Sequence, residues 1–245
     1  TDGKTDINVR QILYVKDGER GIRQSDGVFQ HMKLMPVMYE KLSEQIDFKD
    51  VKAVGVSTRP RCVEGSYMPV FLAGEGYAKV VANTLGVPLY EFSHQDGHIM
   101  AGIYSSGSFE LLENDFISVH LSGGTTEILK SRYNGFYFDN EIIGGSKDIS
   151  AGQFIDRVGV KTGLHFPAGK ALEQLALKTE KGEKLPIAVD GAYMNFSGVE
   201  TKASRMTESE KCDKSALALG VLENVRDTLV KTINKAMTDT NTHRV

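Results

Sequence analysis

His94 and His98 stand four positions apart in the run His94-Gln95-Asp96-Gly97-His98. If that run opens a helix, both imidazoles leave one face and can converge on a single cation. The same spacing also suits two histidines that merely hydrogen-bond at a strand end. A zinc-protease reading needs a carboxylate at the second position to activate water, and position 95 holds Gln, which takes no proton at neutral pH. Asp96 lies two positions beyond His94, a rotation of about 200° on a helix, and so faces away from any shared ion. Zinc-protease hydrolysis is thereby disfavoured, and a metal site and a plain hydrogen-bonded pair both stay open for these residues.

Four further runs carry candidate chemistry. Leu121-Ser122-Gly123-Gly124-Thr125-Thr126-Glu127 reads as a strand, a glycine turn and a returning strand. Its backbone N–H groups could point into one concavity and hold phosphate, although a Gly-Gly hairpin also occurs without a ligand. Loop glycines Gly144 and Gly145 lead into a helix carrying Asp156, which suits a ribose hydroxyl or is simply solvated beside Arg157. In Phe166-Pro167-Ala168-Gly169-Lys170-Ala171-Leu172-Glu173, the Pro starts a helix, Gly169 permits close approach and Glu173 lies about one turn further on. In Asn195-Phe196-Ser197-Gly198-Val199-Glu200-Thr201, Ser197 is placed to cap a helix.

The elements that must position these residues follow from periodicity and turn signals. Residues 8–15 read as an outer strand ending at Asp17-Gly18. Val28, Met32, Met35, Tyr39 and Leu42 form the stripe of a packing helix, with Pro36 as a kink. A strand over 51–57, a loop over 58–67, a small-residue helix over 70–85 stopped by Gly86, and a strand over 87–92 make a parallel β-α-β unit. Strands are predicted over 116–122, 125–130 and 136–143, then helices over 149–162 and 168–178, from near Ser197, and over 213–240. Leu222, Val225, Leu229, Ile233 and Met237 mark the apolar face of the last helix. The chain thus reads as two α/β halves, 1–115 and 116–245, joined near residues 105–115.

Composition bounds the partners. Among 245 residues, 29 Lys and Arg stand against 32 Asp and Glu, a net charge of −3. That balance excludes a wholly basic, polyanion-binding surface, so any nucleic acid contact is a local patch or comes through a partner. Two cysteines, Cys62 and Cys212, are too few for a disulfide scaffold and point to a reducing, cytoplasmic setting. No apolar run approaches the ~20 residues of a membrane span, and the first residues show no signal pattern. His31, His165, His243 and Cys62 are assigned no chemistry.

Taken in order, the five motifs over residues 92–202 resemble the tRNA threonylcarbamoyladenosine transferases, a family also known as glycoproteases or O-sialoglycoprotein endopeptidases. The family pattern runs HxEGH, VSGGxT, a DDAAGEAFDK-like helix, YPGGPxxE and FSFSGLKT; this chain has HQDGH, LSGGTTE, GGSKDISAGQFIDR, FPAGKALE and NFSGVET. Asp96 replaces the family's Glu, Thr125 a His or Asn, Lys170 a Pro, and Glu200 a Lys. The resemblance implies an α/β, actin-like and hexokinase-like (ASKHA) fold of two domains with a ligand cleft between them. It implies transfer of a threonylcarbamoyl group from its adenylate to N6 of adenosine 37 of tRNA. By position it makes His94 and His98 ligands of one divalent metal, iron or zinc. It makes His120, Leu121, Ser122, Gly123, Gly124, Asp156, Gly169 and Glu173 contacts to the adenylate, an ATP-derived ligand. The partners it implies are tRNA, an inactive paralogue subunit and a small ATPase subunit, with no membrane. The family's opening phosphate loop and its closing metal-site strands have no counterpart here, so the chain reads as trimmed at both ends. The competing reading is a catalytically silent scaffold or dimerisation paralogue; the family's older description as a metalloendopeptidase is a third.

Overall fold

The computed structural model describes residues 6–15 and 22–245, and the chain divides into two compact units, 1–108 and 109–245. In the first, helix α1 (Gln24–Ser43) precedes strand β1 (Val54–Arg59), helix α2 (Phe71–Leu85), strand β2 (Leu89–Ser93) and helix α3 (His94–Ser106). β1 and β2 pair in parallel from Val54 opposite Leu89, and α2 supplies the crossover that parallel neighbours require. The small residues Ala73, Ala78 and Ala82 bury the inner side of α2. Gly86 stops it at φ 67°, a left-handed conformation that glycine adopts without a Cβ penalty.

Two expectations for this unit need correction. Residues 6–15 form no strand; the Gln30 side chain on α1 instead accepts the Tyr14 N–H at 2.8 Å and donates to the Tyr14 carbonyl at 3.0 Å. The amide side chain thereby satisfies the backbone of Tyr14 as a strand neighbour would, at that residue alone. The turn signal Asp17-Gly18 lies outside the described residues. The α1 helix does form, with Pro36 inside it; Gly27 lies near Val70, the N-cap of α2, and the Tyr77 hydroxyl of α2 donates to the Met32 carbonyl at 3.1 Å. Its predicted packing stripe is covered in part: Val28, Met35 and Leu42 are half-buried, while Met32 and Tyr39 stay exposed.

The second unit is a mixed sheet with helices against it. Strands β3 (Phe116–Leu121), β4 (Thr126–Tyr133), β5 (Phe138–Ser146), β6 (Val189–Asp190) and β7 (Tyr193–Met194) lie in the order β3-β4-β5-β7-β6, antiparallel except for β5 against β7. Helices α4 (Ala151–Lys161), α5 (Gly169–Ala176), α6 (Ser197–Met206) and α7 (Lys214–Thr240) complete it. The short strands β6 and β7, turned by Gly191 at φ 65°, are too brief to show a periodicity in sequence. The α/β architecture is therefore present, and no helix among the described residues is long and apolar enough to cross a membrane.

The core of this unit joins Ile117, Ile128, Phe154, Val158, Leu172, Met194, Phe196, Leu217 and Val221, with Phe154 and Phe196 stacked at 5.6 Å between centroids. The long helix α7 turns the face its aliphatic residues mark toward the core, but the fully buried line runs along one side of it. Val221, Val225, Thr228, Thr232 and Ala236 are buried, while Leu222, Leu229, Ile233 and Met237 are only partly covered and flank them. A close-packed helix favours short side chains on its central line, and Thr232 satisfies its buried hydroxyl by donating to the Thr228 carbonyl at 2.9 Å.

A close backbone approach occurs at Gly220, where the Glu183 N–H donates to the Ala216 carbonyl at 2.8 Å. A Cβ on Gly220 would stand within 3.0 Å of the Glu183 nitrogen, carbonyl carbon and oxygen. Gly220→Ala should therefore lower stability by about 1–3 kcal/mol, the usual size of core overpacking, outweighing the ~1 kcal/mol that Ala gains over Gly in a helix. Thermal unfolding checks this; a raised melting temperature would show that the segment yields freely.

Candidate functional site

Helix α3 begins where β2 ends, and its start is fixed by chemistry legible in the chain. Ser93 is the N-cap: its hydroxyl accepts the Asp96 N–H at 3.0 Å, and the Asp96 carboxylate accepts the Ser93 N–H at 3.0 Å and its hydroxyl at 2.6 Å. This capping box satisfies helix-start donors that otherwise have no partner. The Gln95 N–H bonds to the Pro60 carbonyl at 3.1 Å, tying the first turn of α3 to the loop after β1. His94 and His98 then leave the same face, with Nε2 atoms 2.9 Å apart and ring centroids at 4.3 Å.

These two imidazoles suit a shared ion. Ligand bonds of about 2.0–2.1 Å in tetrahedral geometry place two nitrogens about 3.3 Å apart, so a small ring rotation opens the pair enough. Neutral imidazole nitrogens favour iron or zinc over magnesium or calcium. Among the described residues no third His, Cys, Asp or Glu joins them, so they would be part of a donor set rather than the whole. Asp96, buried and engaged by Ser93, faces away from them, as the helical rotation required.

In the second unit the glycine hairpin is clamped to the start of α4. The Ser150 hydroxyl donates to the Gly123 carbonyl at 2.9 Å, and the Ala151 N–H donates to the Thr126 hydroxyl at 2.8 Å. Gly152 makes the clamp possible, since a Cβ there would lie 2.5 Å from the Ser122 oxygen and 2.6 Å from the Gly123 Cα. The turn is not an open nest. The Ser122 hydroxyl accepts the N–H groups of Gly124 at 3.2 Å and Thr125 at 3.0 Å, while the Ser122 N–H bonds to the Thr125 carbonyl. Leu121 is exposed at the tip end of β3, and His120 sits half-buried opposite Glu127 in the ladder.

Asp156 lies on α4 and uses one carboxylate oxygen to accept the Ala168 N–H at 2.7 Å, fixing the entry to α5. Gly169 is the first residue of that helix; a Cβ there would meet only Ile155, at 3.9 Å, so space stands open above it. Glu173, one turn on, is exposed. Asp148 is the residue the motif reading passed over. From the β5–α4 loop its carboxylate accepts the N–H groups of Ile149 at 2.7 Å, Phe196 at 2.8 Å and Ser197 at 3.0 Å, together with the Ser146 and Ser197 hydroxyls. It caps α6 from 48 positions upstream, and Ser197, expected as that cap, donates to it instead. Asp148 stands within the GGSKDISAGQFIDR motif, and its partners lie 48 and 49 positions further along the chain.

A histidine pair on a helix that follows a parallel strand, and a glycine hairpin clamped to a second helix start, mark an α/β protein with a candidate site segment in each unit. Residues 19–245 match the family of tRNA N6-adenosine threonylcarbamoyltransferases, and the chain belongs to that family of transferases, whose actin-like fold agrees with the mixed α/β architecture. It is similar to the tRNA N6-adenosine threonylcarbamoyltransferases of two strains of Thermus thermophilus, each 30% identical over 250 residues, spanning all of this chain and 73% and 72% of theirs. The enzyme of that name from Christiangramia forsetii is 31% identical over 180 residues, which is 72% of this chain and 51% of the relative. A probable bifunctional tRNA threonylcarbamoyladenosine biosynthesis protein of Methanothermobacter thermautotrophicus is 32% identical over 171 residues, 69% of this chain and 30% of the relative.

Gly152→Ala tests the clamp. Backbone atoms of the hairpin cannot yield as a flexible side chain would, so a loss of about 1–3 kcal/mol is expected, along with faster amide hydrogen exchange at Gly124 and Thr125. Unchanged melting and exchange would mean that the hairpin is not held by this contact.

Proposed function

We propose that this chain transfers a threonylcarbamoyl group from threonylcarbamoyl-adenylate to N6 of adenosine 37 in tRNA. The observation that carries the reading is the convergence of His94 and His98 at 2.9 Å while their neighbours Gln95 and Asp96 are buried and the Asp96 carboxylate is held by Ser93. That combination offers a place for an ion but no adjacent base to activate water, which favours group transfer over the endopeptidase alternative.

In the proposed reaction the N6 amine attacks the carbamoyl carbon, the carbon–oxygen bond to AMP breaks, AMP departs with the electron pair, and N6 gives up a proton. His94 and His98 would hold a divalent iron or zinc ion, which when bound supplies polarisation of the carbamoyl carbonyl. The hairpin residues His120 to Gly124 would face the adenylate phosphate. Gly123 offers an N–H with no hydrogen-bond partner among the described residues, and a charged phosphate oxygen competes well with the Ser122 hydroxyl for the Gly124 and Thr125 N–H groups. Asp156, with one oxygen committed to Ala168, keeps the other for a ribose hydroxyl; Gly169 leaves room for the nucleoside, and Glu173 stands one turn away. With a net charge of −3, tRNA docking would be shared with an inactive paralogue subunit and a small ATPase subunit, and the setting would be cytoplasmic.

The test is reconstitution of the intact gene product with threonylcarbamoyl-adenylate, substrate tRNA and iron or zinc, read by mass spectrometry of nucleosides. Modified adenosine should form. His94→Ala with His98→Ala should cut it about a hundredfold or more, since loss of even outer partners of metal ligands costs ~10–100-fold, and should abolish bound metal. An intact protein that binds its partner subunits yet leaves adenosine unmodified would establish the silent-scaffold reading instead.

A further inference from the structure

Asp148 is exposed, yet its carboxylate gathers donors from both ends of a 48-residue separation. Burial opposes its ionisation, but the bonds from the Ser197 hydroxyl and the N–H groups of Phe196, Ser197 and Ile149 prevail and hold its carboxyl below the ordinary carboxylate range. All its described donors are neutral, so it acts as the anion at the start of α6, where the aligned N–H groups favour negative charge. Next to it, the Lys147 N–H bonds to the Met194 carbonyl at 2.9 Å, and the Ser146 hydroxyl closes the loop on the Ile149 carbonyl at 2.6 Å. Only Ile149 separates Asp148 from Ser150, whose hydroxyl holds the Gly123 carbonyl. The carboxylate therefore sits at the junction between two ties, one to α6 and one to the hairpin.

We infer that Asp148 is a positioning residue that locks the glycine hairpin and the start of α6 into a single nucleotide-holding arrangement. The inference rests on the adenylate reading given above. By occupying the α6 N–H groups itself, Asp148 also leaves the hairpin as the place where a nucleotide phosphate binds. Removing the carboxylate frees those N–H groups and the Ser197 hydroxyl, loosens the 146–150 loop, and lets Ser150 and the hairpin shift together.

The experiment is calorimetric titration of AMP into the intact protein and its Asp148→Ala and Asp148→Asn variants, each first shown folded by circular dichroism at the assay temperature. The wild type should bind AMP, and Asp148→Ala should bind it about tenfold more weakly, in keeping with the loss of several charge-assisted hydrogen bonds. Sodium formate, a carboxylate small enough to occupy the vacated donors, should restore most of that affinity, while sodium chloride at the same concentration should not. Asp148→Asn keeps the shape and one carbonyl acceptor, should fall between the two, and carries the comparison if Asp148→Ala does not fold. A purely structural carboxylate would lower the melting temperature and leave the AMP affinity of the folded variant unchanged; that result, or a loss that formate does not repair, overturns the inference while leaving the transferase reading in place. A wild type that binds no AMP removes the adenylate reading and this inference with it.

Discussion

A helix begins with backbone N–H groups that have no partner inside the helix, and each must find an acceptor elsewhere. In this protein the segments proposed to carry chemistry sit at such beginnings. The histidine pair occupies the first turn and a half of α3, the hairpin abuts the start of α4, Gly169 opens α5, and the NFSG segment opens α6. How those donors are satisfied decides where each candidate group stands.

Three of the solutions are local. Ser93 with Asp96 closes α3, the Ser150 hydroxyl accepts the Gln153 N–H at 3.1 Å at the start of α4, and Asp213 accepts the Ser215 and Ala216 N–H groups at the start of α7. Two are not. Asp156 reaches across 12 positions to Ala168, and Asp148 across 48 to Phe196. The non-local caps do more than stabilise a helix end, because each fixes one element against another. Through Asp156, α4 sets the entry to α5; through Asp148, the loop before α4 sets the entry to α6.

Glycine complements these caps by allowing contact without a side chain in the way. Gly152 lets the hairpin backbone rest on α4, and Gly220 lets the segment around Glu183 rest on α7. The hairpin itself is held from both sides: Ser150 pulls on the Gly123 carbonyl, while Ser122 folds its hydroxyl back onto two of the turn's own N–H groups. A turn satisfied in this way is pre-shaped, and the proposed adenylate phosphate would have to displace a neutral hydroxyl rather than organise the loop afresh.

The sequence by itself determined the family and most of the longer elements from β1 to β5 and from α4 to α7, because periodicity and glycine stops are written within a few neighbouring residues, while the helix start that brings His94 and His98 onto one face stood as a condition that the Ser93–Asp96 cap meets. It also excluded a zincin base at Gln95, since side-chain chemistry needs no coordinates. What the tertiary structure decided depended on residues far apart in the chain. Residues 6–15 formed no strand and Tyr14 met a glutamine side chain, α7 set its threonines at the buried centre of a face whose larger aliphatics flank it, and the Ser122 hydroxyl took up N–H groups of a turn expected to be open. Asp148 is the sharpest case: its type and its motif were in view, but its partners come from another element, and no local pattern encodes which distant N–H groups the fold will bring to a carboxylate.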